Sequence, residues 1–132
     1  MKPTPFNDLS APAKSLFVFA IYLLLLGALL VLAPNFVLGL FRIAPTSEVW
    51  IRVVGMLVLV IGTLDALGSI AELQVYIRWT VGVRVAVFVF LCAFAVTGLG
   101  PMVLILFGLV DFAGAMWTAW ALRRNSQASA PV

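Results

Sequence analysis

The sequence predicts an all-α integral membrane protein: a bundle of four transmembrane helices, with a short interfacial helix after the first. Three observations predict it. Of 132 residues, 64% are hydrophobic and only 10% charged, against about 25% charged in soluble domains. The mean hydropathy is +1.21, and a soluble domain of this size cannot bury that much apolar surface. The apolar residues also fall into four runs, each near the ~20 residues of helix that cross a hydrocarbon core. In lipid the burial problem disappears, because apolar side chains can face outward.

Residues 1–15 read as a cytoplasmic N-terminal segment in which Pro3, Pro5 and Pro12 oppose a helix. A single transmembrane domain, 16–124, follows. Its first helix is expected over 16–33, ended by Pro34. The triplet Val31-Leu32-Ala33 resembles a signal-peptide cleavage site. The apolar run is longer than a signal peptide's, however, and Pro34 would directly follow the cut, so the helix is read as retained. Residues 35–43 are too few to span and predict a short helix in the interface, with Phe36 and Phe41 dipping inward.

Pro45-Thr46-Ser47-Glu48 reads as a helix start, with Thr46 or Ser47 as cap and Glu48 at the positive end of the dipole. The second helix is expected over 48–73. Trp50 at its outer end, with Tyr76 and Trp79 beyond its inner end, suits an interfacial aromatic belt. A connection over 74–78 leads to the third helix, 79–97. Gly98-Leu99-Gly100-Pro101 is a tight turn, with Pro101 suited to the first helical position. The fourth helix, 102–122, is expected to stop at Arg123 and Arg124, leaving 125–132 as a disordered cytoplasmic tail.

Basic residues set the expected orientation. Lys2, Lys14, Arg78, Arg84, Arg123 and Arg124 fall on one side, and Arg42 and Arg52 on the other. Six against two predicts that the first side, with both termini, is cytoplasmic. The basic residues are scattered along the chain, without the clustered patch a nucleic-acid surface needs. The lone cysteine, Cys92, cannot form an intramolecular disulfide and reads as a small apolar residue. With no histidine in the chain, histidine-ligated haem, chlorophyll or zinc is excluded, and no cofactor or metal is expected.

Away from the ends of the expected spans, three ionisable residues need explaining: Asp65, Arg84 and Asp111. A charge in the membrane interior costs ~3 kcal/mol or more, so such residues usually face the bundle interior. Asp65 lies roughly 12 Å before the inner end of its helix, Asp111 roughly 16 Å. Arg84 is five residues into the third helix. At these overlapping depths, two carboxylates around one guanidinium would make a ligand or proton site. The alternative is structural: the aspartates hydrogen-bond neighbouring helices with Thr63 or Ser69, while Arg84 snorkels to the headgroups.

Around the aspartates the sequence repeats. Gly62-Thr63-Leu64-Asp65-Ala66-Leu67-Gly68-Ser69 and Gly108-Leu109-Val110-Asp111-Phe112-Ala113-Gly114-Ala115 share Gly-x-x-Asp-x-x-Gly and a following small residue. A parallel internal repeat of two helix pairs would produce this pattern. Gly55, Gly62 and Ser69 fall within about 80° of Asp65 on the helical wheel, and Gly108, Ala115, Thr118 and Ala119 lie similarly around Asp111. Small residues admit close helix approach, so Gly55, Gly62, Ser69, Gly108 and Ala115 are candidate packing positions. Arg52, Trp117 and Trp120 read as interfacial anchors.

No Ser-His or Cys-His pair, metal-ligand cluster or phosphate loop is present. Two carboxylates alone specify no substrate, so an enzyme is not the expectation.

Two stretches carry a family resemblance. They are Glu48-Val49-Trp50-Ile51-Arg52-Val53-Val54-Gly55-Met56, and Phe107 to Arg123 with its Asp111-x-x-Gly114-Ala115-x-Trp117-Thr118 core. Together they resemble small uncharacterised bacterial four-helix inner-membrane proteins, similar in size and layout to the DoxX-like proteins. The resemblance implies a bacterial plasma-membrane location and the four-helix layout, and carries over no catalytic role. Small multidrug-resistance transporters share the size, but they use a glutamate in the first helix, and 16–33 has no charge.

Two functions follow as expectations. One is an accessory or structural membrane component, packing against a larger membrane-protein partner or as a homo-oligomer. The other is a small-molecule or proton-coupled carrier, or a ligand binder, using Asp65, Asp111 and Arg84.

Overall fold

The computed structural model describes residues 4–128. The protein is all-α. After a 3-10 turn at Phe6–Asp8 come α1 (Ala11–Leu32), α2 (Pro34–Leu40), α3 (Trp50–Ile70), α4 (Gln74–Val96) and α5 (Leu104–Ala128). Helices α1, α3, α4 and α5 are long and apolar enough to cross a membrane. α1 packs with α3, and α4 with α5.

Helix ends depart from the sequence expectation for identifiable reasons. α1 starts at Ala11, five residues early. Ser10 caps it, its Oγ accepting from the Ala13 N–H at 3.4 Å. Pro12 occupies the first turn, where a helix leaves its N–H groups unpaired anyway, so the missing donor does no harm. α3 closes after Ile70 rather than 73. The Leu73 N–H donates to the Gly68 carbonyl and the Glu72 N–H to the Ser69 carbonyl, both at 3.0 Å. Glu72 sits at φ +53°. This is a Schellman closure, with Glu72 at the left-handed position where glycine is usual. The chain reverses within three residues, so 74–78 become the opening of α4 instead of a connection.

α2 closes in the same way. Ile43 donates to Leu38 at 2.9 Å and Arg42 to Gly39 at 3.1 Å, with Arg42 at φ +57°. In α2, Val37 and Leu38 are buried while Phe36 is exposed. Thr46 serves the following loop rather than a helix cap: its Oγ1 accepts from the Glu48 N–H at 3.1 Å, and its own N–H donates to Asn35 Oδ1 at 2.9 Å. Pro101 lies three residues ahead of α5 and accepts from the Leu104 N–H at 3.0 Å. α5 runs through Arg123 and Arg124 to Ala128, since cations favour the negative end of a helix dipole. Of the expected tail, 129–132 lie outside the described residues, as do Lys2 and Pro3 at the other end.

The chain forms two compact units. In the unit of residues 18–67, α1 and α3 meet backbone to backbone. A Cβ placed on Gly27 would lie 2.8 Å from the Gly55 carbonyl oxygen, and one on Gly55 would lie 2.8 Å from Leu30 Cβ. Farther along α3, a Cβ on Gly62 would stand 3.0 Å from Leu23 Cβ. The Arg52 guanidinium donates to the Val31 carbonyl. It thereby supplies a donor to the last turn of α1, where carbonyls lack helical partners.

In the unit of residues 1–17 and 68–132, α4 packs on α5. A Cβ on Gly108 would lie 3.0 Å from Phe88 Cδ2, and the Phe88 and Phe112 rings stand 5.0 Å apart. At the other end of α4 and α5, Leu9, Ala13 and Leu16 of the first seventeen residues bury against Ile77, with Phe17, Tyr76 and Leu122 around them. Gly62 and Gly108 thus face the preceding membrane helix in their respective units. Each is three residues before its aspartate.

Candidate functional site

α4 begins at Gln74, so Arg84 lies ten residues in, about 15 Å from the helix start. That is mid-span, deeper than the sequence-based position. The residue is 4% exposed, and its guanidinium turns to hydroxyls within the protein rather than out to headgroups. Arg84 Nη2 donates to Thr80 Oγ1 at 3.1 Å and to Thr118 Oγ1 at 3.4 Å. Thr80 is one helical turn earlier on the same face of α4. Thr118 comes from α5.

Their hydroxyl hydrogens interlock these groups. Thr118 gives its hydrogen to the Gly114 carbonyl at 3.0 Å. Its oxygen is therefore free to accept from both Arg84 and Ser15, the latter at 3.0 Å. A threonine hydroxyl has one donor and two lone pairs, and Thr118 has a partner for each, sharing the Ser15 hydrogen with the Pro12 carbonyl. Thr80 gives its hydrogen to the Ile77 carbonyl at 2.9 Å while accepting from Arg84. Ser15 has one hydrogen near two acceptors, Thr118 Oγ1 and the Pro12 carbonyl at 2.7 Å. Thr118 is 0% exposed, Ser15 1% and Thr80 7%. A buried polar cluster thus joins α1, α4 and α5.

The other sequence-predicted residues are placed as follows. Asp65 on α3 is 3% exposed, and Ser69, four residues on, is fully buried. Asp111 on α5 is half-buried. It lies seven residues before Thr118, two turns away on the same helix face. Ala115, between them, is fully buried. Gly55, Gly62 and Gly108 are at the helix contacts described above. Cys92 is half-buried.

Sequence reasoning missed Thr80 as a partner of Arg84 and Ser15 as a partner of Thr118. The Thr80–Arg84 spacing of four was a legible signal. Ser15 lay at the margin of a segment expected to be non-helical, and nothing local marks it.

A second polar knot was also missed. Glu72 accepts from the Ser10 N–H at 2.6 Å and from the Ser10 hydroxyl at 2.7 Å. Gln74 Nε2 donates to the same carboxylate at 3.0 Å. In a capping box, a glutamate three residues into the helix returns to the cap residue's N–H. Here that glutamate comes from 62 residues away, and it sets a negative charge at the positive end of α1.

No family model, curated protein or solved structure matches this chain.

Proposed function

We propose that the protein is an accessory or structural membrane component whose polar cluster holds its helices in register. Thr118 carries this reading. Its single hydroxyl binds the α5 backbone, Arg84 of α4 and Ser15 of α1 at once. Hydrogen bonds between membrane helices each contribute about 0.6–2 kcal/mol, and a junction of this kind works as an internal tie. The apolar side chains of the same unit, including Val83, Phe90 and Val96, are exposed and suit lipid or another membrane helix. We place the protein in a bacterial plasma membrane with both termini cytoplasmic, on the family likeness and, with Arg84 set aside at mid-span, the five-to-two distribution of the remaining cations.

Detergent-free extraction into native nanodiscs, with mass spectrometry of whatever co-purifies, tests this function. A stoichiometric protein partner, or a homo-oligomer, is the expected result. A defined small molecule without any protein partner, lost in Asp65→Asn, would overturn it.

That second outcome corresponds to a carrier or ligand binder. The near-complete burial of both Asp65 and Arg84 favours this alternative, because ionisable residues inside a membrane commonly mark substrate or proton paths. If so, Asp65→Asn and Asp111→Asn abolish ligand retention while leaving thermal stability unchanged. Variants that keep every phenotype would remove its basis.

A further inference from the structure

The tertiary structure gathers cations that are scattered in the sequence. The buried contact of Ala13 and Leu16 with Ile77, flanked by Leu122, brings the start of α1, the start of α4 and the end of α5 to one place. Lys14, Arg78, Arg123 and Arg124 lie within two residues of that contact along the chain. Arg78, Arg123 and Arg124 are exposed and Lys14 is half-buried.

Two carboxylates belong to the same end, Asp8 and Glu72. The Glu72 carboxylate accepts from Ser10 and Gln74. Aromatic rings accompany the cations. Arg124 Cζ lies 4.3 Å from the Trp120 ring centroid, and Lys14 Nζ lies 5.9 Å from that of Phe6. Trp79 and Trp117 are exposed at the same end. Trp120 is four residues before Arg124, so the arginine folds back one turn toward the apolar part of α5. Its charge stands beside a residue type that settles at headgroup depth.

We infer that this end of the protein is a docking surface for anionic phospholipid headgroups, with Lys14, Arg78, Arg123 and Arg124 meeting the phosphates. Phe6, Trp79, Trp117 and Trp120 lie at glycerol and upper-acyl depth. Lysines and arginines held beside a membrane span attract anionic lipid strongly, and the attraction fades beyond a Debye length. Ring-held cations already at headgroup depth reach the phosphate without ordering a flexible tail.

The test is lipid retention by the full chain in nanodiscs of equimolar phosphatidylglycerol and phosphatidylcholine, read by native mass spectrometry of the released protein. Wild type should retain phosphatidylglycerol over phosphatidylcholine by about fivefold or more, on the scale of one well-placed cation. Raising the salt from 0.05 to 0.5 M should shrink that preference. The triple variant Arg78→Gln, Arg123→Gln, Arg124→Gln should bring it near parity. The corresponding lysine triple should keep it, because lysine retains the charge. Equal retention of the two lipids by wild type would overturn the inference, and that measurement stands even if the triple variants fail to fold. So would a preference indifferent to salt, or one unchanged in a glutamine triple whose circular dichroism matches wild type.

Discussion

Glu72 offers a severe test, because its backbone and its side chain act in opposite directions. At φ +53° it holds a conformation that costs a residue with a Cβ about 1–2 kcal/mol. Its carboxylate accepts from the Ser10 N–H, the Ser10 hydroxyl and Gln74 at 2.6, 2.7 and 3.0 Å. Hydrogen bonds to a charged group contribute about 1.5–3 kcal/mol each when well buried. This knot is only partly buried, so the smaller end of that range is appropriate, and the three bonds share one carboxylate.

Glu72→Ala keeps the backbone strain and removes the knot, for an expected loss of about 2–3 kcal/mol. Glu72→Gly removes the knot and the strain together, so its loss should be smaller than that of Glu72→Ala by about 1 kcal/mol. Glycine more stable than alanine beside a helix is the signature. The assay is unfolding in mixed micelles followed by fluorescence of the chain's four tryptophans. Glu72→Ala as stable as wild type, or more stable than Glu72→Gly, would refute the reasoning.

Three other outcomes follow. Gly55→Leu and Gly108→Leu should each destabilise by about 1–3 kcal/mol through overpacking, whereas Gly82→Leu, whose added Cβ meets nothing within 4 Å, should leave the same unfolding curve unmoved. Thr118→Val should lower stability by about 1–2 kcal/mol, because the oxygen that accepts from Arg84 and Ser15 is lost while the shape is kept. In a double-mutant cycle with Ser15→Ala, the two losses should add to less than their sum. Arg52→Gln should cost about 0.3–1 kcal/mol by weakening the cation at the end of α1, and hydrogen exchange should rise first at the last turn of that helix.

The sequence alone determined that the chain is all-α, with four spans and a short helix after the first. Those features come from apolar run length and from local breakers such as Pro34 and Gly98. Both signals act within one helix and need no partner. It also marked Asp65, Arg84 and Asp111 as unusual, since a charge among apolar residues is visible in one dimension. Glycine positions at helix contacts were legible too, through the spacing of Gly55, Gly62 and Gly108.

Only the tertiary structure decided where helices end and what the charges meet. Pro12 looked like a breaker until Ser10 and Glu72 supplied the start of α1 from either side. The Glu72 closure moved the start of α4 back to Gln74, and with it moved Arg84 to mid-span. Arg84 found Thr118 at a separation of 34 residues, and Ser15 found it at 103. Lys14, Arg78, Arg123 and Arg124 were assigned to one side by sequence, but only the contact of Ala13 and Leu16 with Ile77 draws their helix ends together there. The physical reason is common to all of these. Burial, hydrogen bonding and charge are summed over neighbours in space, and packing, rather than local sequence, chooses those neighbours.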